Sequence, residues 1–252
     1  MLMPVGMLLA FAFMNIANIM EGGNPAHLFG IPALILVLGG TIMTVATTHT
    51  PGEVLKMPTL VIKGFKNPPN LSKTIEQINE LADVARKDGA LALEAKMNEV
   101  EDPFLKQAIT LLVDGADEHR IRDELDGAIN AMSERHSRNI SMFQRAEALA
   151  PGFGLMGTTM GLIHMLGLLD HPEEIGHLLA AAMIATLYGL VTANVLWAPV
   201  AAKLSRLHEN EVFEKDLMVE GVCAMLHGYS SRAMTEKLEA WLPPSQRGQK
   251  AA

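Results

Sequence analysis

Long stretches of this 252-residue chain carry no Asp, Glu, Lys or Arg. Residues 2–20 (LMPVGMLLAFAFMNIANIM), 28–48 (LFGIPALILVLGGTIMTVATT) and 178–202 (LLAAAMIATLYGLVTANVLWAPVAA) are wholly uncharged, and 148–169 (ALAPGFGLMGTTMGLIHMLGLL) holds a single titratable group, His164. Cysteine is nearly absent: Cys223 stands alone, which excludes an internal disulfide and a cysteine-based metal site. Aromatics make up only 5%, so the apolar interior is aliphatic, and 17 Met with 21 Gly pack it closely. Charged residues total 19%, below the quarter usual in soluble domains. The net charge of −8 argues against a nucleic-acid binder, and 49% apolar content excludes a disordered chain. Also missing are a Walker-type phosphate loop, HExxH, a nucleophile elbow and CxxC.

The four apolar stretches are what the sequence has instead. At 1.5 Å per residue, a helix of about 20 residues covers the roughly 30 Å of bilayer hydrocarbon. The pattern therefore predicts an all-α integral membrane protein with four transmembrane helices. The first stretch does not read as a cleavable signal: it has no basic n-region, and Glu21-Gly22-Gly23 leads directly into the second.

Basic residues then set the orientation. All 20 Lys and Arg lie between Lys56 and Arg145 or between Lys203 and Lys250, while the connectors 21–27 and 170–177 have none. Under the positive-inside rule the two basic-containing stretches and both termini are cytoplasmic. The predicted layout is an N-terminal transmembrane hairpin at 1–48, a cytoplasmic helical domain at 49–147, a second hairpin at 148–202 and a cytoplasmic helical tail at 203–252.

Inside the 49–147 insertion, Pro51, Pro58 and Asn67-Pro68-Pro69-Asn70 read as irregular chain. Leu71, Ile75, Ile78, Leu81, Ala82 and Ala85 form an amphipathic stripe that ends at Gly89, and 90–100 is helical by propensity. Asp102-Pro103 is a helix start. Ile121, Leu125, Ile129, Met132, His136, Ile140 and Phe143 recur every three or four residues and run into the third span. Leu204, Leu207, Leu217, Met218, Met225 and Leu226 continue the fourth span likewise, so both look like long rods extended into the cytoplasm.

Few residues carry chemistry. His171, His177, Asp170, Glu173 and Glu174 could be drawn as a metal site but read better as a solvated polar turn, and His164 as a bundle-facing polar residue. Gly154, Gly157, Gly161 and Gly189, including a GxxxG at 157–161, allow close helix packing in lipid. Thr158, Thr159 and Thr186 either bond back to their own helix or line a wet path with oxygen ligands for a hard cation. Pro151 and Pro199 each remove a backbone hydrogen bond and can create a hinge. No Asp, Glu, Lys or Arg lies deep in a span, so a titrating carboxylate for ion passage must come from another chain.

At this point the chain resembles the MotA/PomA family, the larger subunit of the bacterial flagellar stator. The residues that carry the resemblance are Ala150 through Leu162 (APGFGLMGTTMGL), Ala185-Thr186-Leu187-Tyr188-Gly189 with Ala193-Asn194 and Pro199, Glu21-Gly22-Gly23-Asn24-Pro25, Gly39-Gly40-Thr41, and Arg86-Lys87-Asp88-Gly89 with Leu93-Glu94. The resemblance implies a five-subunit ring around two copies of a single-span MotB- or PomB-type partner, which is anchored to peptidoglycan and supplies the membrane aspartate. It implies an inner-membrane H+ or Na+ channel without a resident cofactor, not an enzyme. Arg86 and Glu94 match the pair that engages the rotor protein FliG, Pro151 and Pro199 the coupling prolines, and Thr158 and Thr186 the hydroxyls near the ion path. The related ExbB/TolQ class is the alternative, and the N-terminal hairpin argues against it. An integral membrane enzyme would have only His164 and the threonines to work with, and a passive scaffold would use the glycines and threonines for packing alone.

Overall fold

The computed structural model describes residues 2–65, 68–244 and 247, and among these no strand occurs. Asn67 of the expected irregular segment and the end of the 203–252 tail, Lys250 included, lie outside the described residues. The main helices are α1 (Leu2–Met20), α2 (Ile31–Ala46), α3 (Leu71–Asp88), α4 (Pro103–Val113), α5 (Glu118–Leu166), α6 (Pro172–Leu226) and α7 (Ser231–Glu239). Three of them, α1, α5 and α6, are long and apolar enough to cross a membrane.

α2 is shorter than the 28–48 stretch expected of it. Pro25–Leu28 forms a separate turn, and Gly30 enters the helix in extended conformation. At the other end the Thr47 and Thr48 hydroxyls donate to the Thr44 and Val45 carbonyls at 2.7 and 3.0 Å, which satisfies the last carbonyls and stops the helix. The helix widens to a π-turn at Ile35–Gly39.

The chain folds as two compact units, each built from two segments: residues 1–67 with 136–206, and 68–135 with 207–252. The first is assembled from α1, α2 and the apolar parts of α5 and α6. Its core joins Val37 and Val45 to Phe143, Ala146, Ala150, Ala193, Trp197 and Val200. The rings of Phe143 and Trp197 lie 6.2 Å apart. Gly40 exists for this packing: a Cβ there would stand 2.4 Å from Phe153 Cε1.

In the second unit α3 is capped by Asn70, whose side chain accepts from the Lys73 amide, and stops at Gly89 with φ +87°. It buries Ile75, Ile78, Leu81 and Ala82 against Leu217, Met218 and Val222 of α6. Residues 90–100 depart from expectation. They make only the turns Ala90–Ala92 and Leu93–Lys96, because Gly89 starts them left-handed and Pro103 forces Asp102 into extended backbone. Asp102 caps α4 by accepting from Phe104 N at 2.8 Å and Leu105 N at 3.2 Å. Its other carboxylate oxygen takes a 2.6 Å hydrogen bond from buried Lys215 of α6, whose ammonium also sits 5.2 Å from the Phe104 ring centre. Glu220 holds Arg122 at 3.0 Å and Lys237 at 2.5 Å, tying α5, α6 and α7 together.

Candidate functional site

α5 and α6 approach until their backbones touch, and small residues make that possible. A Cβ on Gly154 would lie 2.9 Å from the Ala185 carbonyl oxygen, and one on Gly189 would lie 2.8 Å from the Ala150 carbonyl oxygen. Cβ atoms on Gly157 and Gly161 would each come within 2.5 Å of the side chains of Ala185 and Ala182. These four glycines therefore share one seam, whereas Gly152 faces open space.

Two hydroxyls enter the seam. Thr158, 6% exposed, contacts the Gly154 carbonyl at 3.2 Å, the Ala182 carbonyl at 3.1 Å and the Thr186 hydroxyl. A hydroxyl has one hydrogen and two lone pairs, so Thr158 can donate to a carbonyl while accepting from Thr186. Two carbonyl oxygens and the Thr186 hydroxyl thus surround the Thr158 hydroxyl. Thr158 bonds its own helix and the facing one at once. Thr159 does not join them. It is exposed and donates to the Leu155 carbonyl at 3.0 Å.

Pro151 lies within α5 beside the seam residue Ala150. Pro199 of α6 follows a π-turn at Thr192–Trp197, so the wide turn and the missing amide fall together. Arg86 and Glu94 are exposed on either side of Gly89, and neither forms a hydrogen bond or ion pair with another described residue. His164 is exposed in the chain. His171 lies 3.5 Å from Glu173, and among the described residues no three metal-ligating groups cluster.

Thr41 was visible in the sequence only as part of a matching motif. In the fold it is 0% exposed and its hydroxyl has no partner among the described residues. The buried Trp197 Nε1 likewise has no partner among them. The Tyr188 hydroxyl accepts from Gly30 N at 3.1 Å and so joins α6 to the entry of α2. None of these has a local sequence signal, because each depends on a helix distant in the chain.

Fold and site together define an all-helical protein whose long apolar helices cross at a glycine-lined, hydroxyl-bearing seam. Residues 96–216 match the model of the MotA/TolQ/ExbB proton channel family. The chain is 36% identical over 247 residues to motility protein A of Bacillus subtilis, covering 96% of this chain and 91% of that protein. It superposes on a chain of the solved C. jejuni MotAB with a TM-score of 0.91 and 30% identity, covering 96% and 95% of the two chains. On the flagellar MotAB stator complex from Bacillus subtilis the TM-score is 0.90 with 35% identity, covering 96% of each chain. The chain belongs to the MotA/PomA family within the MotA/TolQ/ExbB proton channel family. ExbB enters only through that broader family.

Proposed function

We propose that this chain is a stator subunit of the bacterial flagellar motor, which with a MotB-type partner converts ion flow into torque on the rotor. The reading rests on one observation above others: Thr158 and Thr186 join two apolar helices at a seam that contains no carboxylate. A seam that can hand on a cation but cannot titrate needs its carboxylate from another chain, and a single-span, peptidoglycan-anchored subunit would supply it. Five copies of this chain around two of that partner would form the working unit. Moving one charge down a 100 mV potential releases about 2.3 kcal/mol, enough to bias a bistable helix arrangement.

Under this proposal the chain lies in the inner membrane with four spans, α2 being the short one, and with both termini cytoplasmic. The hairpin 148–202 lines the path for H+ or Na+ and the hairpin 1–48 flanks it. Thr158 and Thr186 stand at the path, with Thr159 next to it. Pro151 and Pro199 couple ion passage to helix movement. The helical region of 49–147 meets the rotor through Arg86 and Glu94, with FliG as the contact, and 203–252 completes that cytoplasmic part. No resident cofactor or catalytic residue is assigned.

The test is swimming speed of cells carrying this chain and its partner as external sodium is varied, with a protonophore control. Speed that follows sodium and survives the protonophore assigns Na+, and the reverse assigns H+. Full motility after deletion of this chain alone would end the proposal.

A further inference from the structure

Of the three helices long and apolar enough to cross a membrane, α1 is the least buried. None of Met3–Met20 is buried, although the helix is uncharged and only Asn15 and Asn18 in it are polar. It leaves a seam against α6 that opens into a cavity of about 350 Å³ lined by Met3, Gly6, Met7, Val195, Pro199 and Lys203. The two helices run antiparallel. Met3–Met7 of α1 share this cavity with Val195–Lys203 of α6, whereas Phe11 and Met14 share another with Leu187–Thr192. The cavity is almost wholly apolar along its length. Asn194 on its wall has its amide occupied by the Leu190 carbonyl at 2.8 Å. Buried water needs two to four polar partners, which such a wall does not offer.

One end of the seam is different. Lys203 lies there, one helical turn beyond Pro199, and Arg206 follows three residues later on the same face. Neither forms a hydrogen bond or ion pair with another described residue. An apolar trough about 10 Å long on α1 that ends at two free cations matches one chemistry: an acyl chain attached to an anionic phosphate.

We propose that the seam between α1 and α6 binds an anionic phospholipid of the inner leaflet, its acyl chain along Met3, Gly6, Met7 and Val195 and its phosphate at Lys203 and Arg206. This rests on the membrane orientation of the stator reading, which puts Lys203 at the cytoplasmic leaflet. Charge selects the occupant, since a neutral helix of a second copy would leave both cations without counter-charge. The lipid then holds α1 to α6 beside Pro199.

The experiment uses the full chain assembled with its single-span partner in mild detergent, titrated with phosphatidylglycerol or phosphatidylcholine and read by native mass spectrometry. Phosphatidylglycerol should be held in preference. Lys203→Gln should weaken it about fivefold, the factor for roughly 1 kcal/mol per basic residue near an anionic surface. Lys203→Arg should restore it. Gly6→Leu should block both lipids, because a Cβ at Gly6 meets nothing within 4 Å and the larger side chain fills the trough without displacing protein. Co-elution with the partner confirms that each variant is assembled. Equal retention of the two lipids, unchanged in both Lys203→Gln and Gly6→Leu, would overturn the proposal while leaving the stator reading intact. So would efficient disulfide capture of Met7→Cys by a cysteine on a neighbouring copy, which would show the trough covered by protein. Release of the chain from membranes by alkaline carbonate would overturn both readings together.

Discussion

The hydroxyls of Thr158 and Thr186 are hydrogen-bonded to each other across the place where α5 and α6 touch backbone to backbone. Thr158 is buried between Gly154 and Ala182, so the hydroxyl pair and the glycine seam occupy the same helix contact. Thr158→Val keeps the shape and removes the hydroxyl. It should leave assembly with the partner intact while ion flux and swimming speed fall about tenfold, the equivalent of ~1.4 kcal/mol for one lost oxygen contact. Swimming unchanged across the sodium range would remove Thr158 from the path.

The seam makes a separate prediction about stability. Gly154→Val and Gly189→Val would each drive a side chain into backbone atoms, which cannot give way as a flexible side chain can. Each should lower stability by about 1–3 kcal/mol or abolish assembly, measured as thermal inactivation of the purified complex. Gly152→Ala meets nothing and should be neutral or slightly stabilising. Equal loss in Gly152→Ala and Gly154→Val would mean that the helices are not held by close approach.

Much of this site was legible because it follows from local periodicity. The GxxxG at 157–161 and the glycine at 189 can be read along single helices, and so can the two threonines. Their meeting could not be read, because Thr158 bonds a carbonyl 24 residues away on another helix. The end of α3 at Gly89 and the start of α4 at Asp102-Pro103 were also local signals and stand where expected. Residues 90–100 were not, since helix propensity there yields to the constraints at both ends. That each unit is built from two distant chain segments was invisible for the same reason. Within the second unit, 68–135 and 207–252 are joined by contacts such as Asp102 with Lys215, 113 residues apart.

That last pair predicts a pH dependence. Burial opposes the charge on Asp102, but the Lys215 hydrogen bond and charge and the amides of Leu105 and Phe104 outweigh it, holding the carboxyl below its ordinary 3.8. The unfolded chain therefore binds this proton more tightly than the folded one. The pair's stabilisation is full above pH 3.8 and is lost as pH falls through the lower folded value. Lys215→Ala should cost about 2 kcal/mol, less than the ~3–5 of a wholly buried pair because the Asp102 side chain is 29% exposed. Asp216 works in the opposite sense, since burial and the nearby Asp126 raise its carboxyl. The informative measurement is thus the difference in melting temperature between Asp102→Asn and the parent chain from pH 7 to 3. That difference should shrink toward acid, and a constant difference would exclude the linkage.

Arg86 and Glu94 present opposite charges on either side of a left-handed glycine, each without a partner among the described residues. Two explanations of their exposure give different genetics. If they only attracted each other, exchanging them as Arg86→Glu with Glu94→Arg would preserve the pair and keep cells swimming. If each meets an opposite charge on the rotor, the exchange creates two repulsive contacts. Like-charge juxtaposition at an interface costs several kcal/mol, so motility should be lost in both single reversals and in the double exchange. Membrane assembly and partner binding should persist in all three, because both side chains point away from the packed core of their unit. The deciding case is therefore the double exchange: normal swimming there would strip both residues of their rotor-binding role.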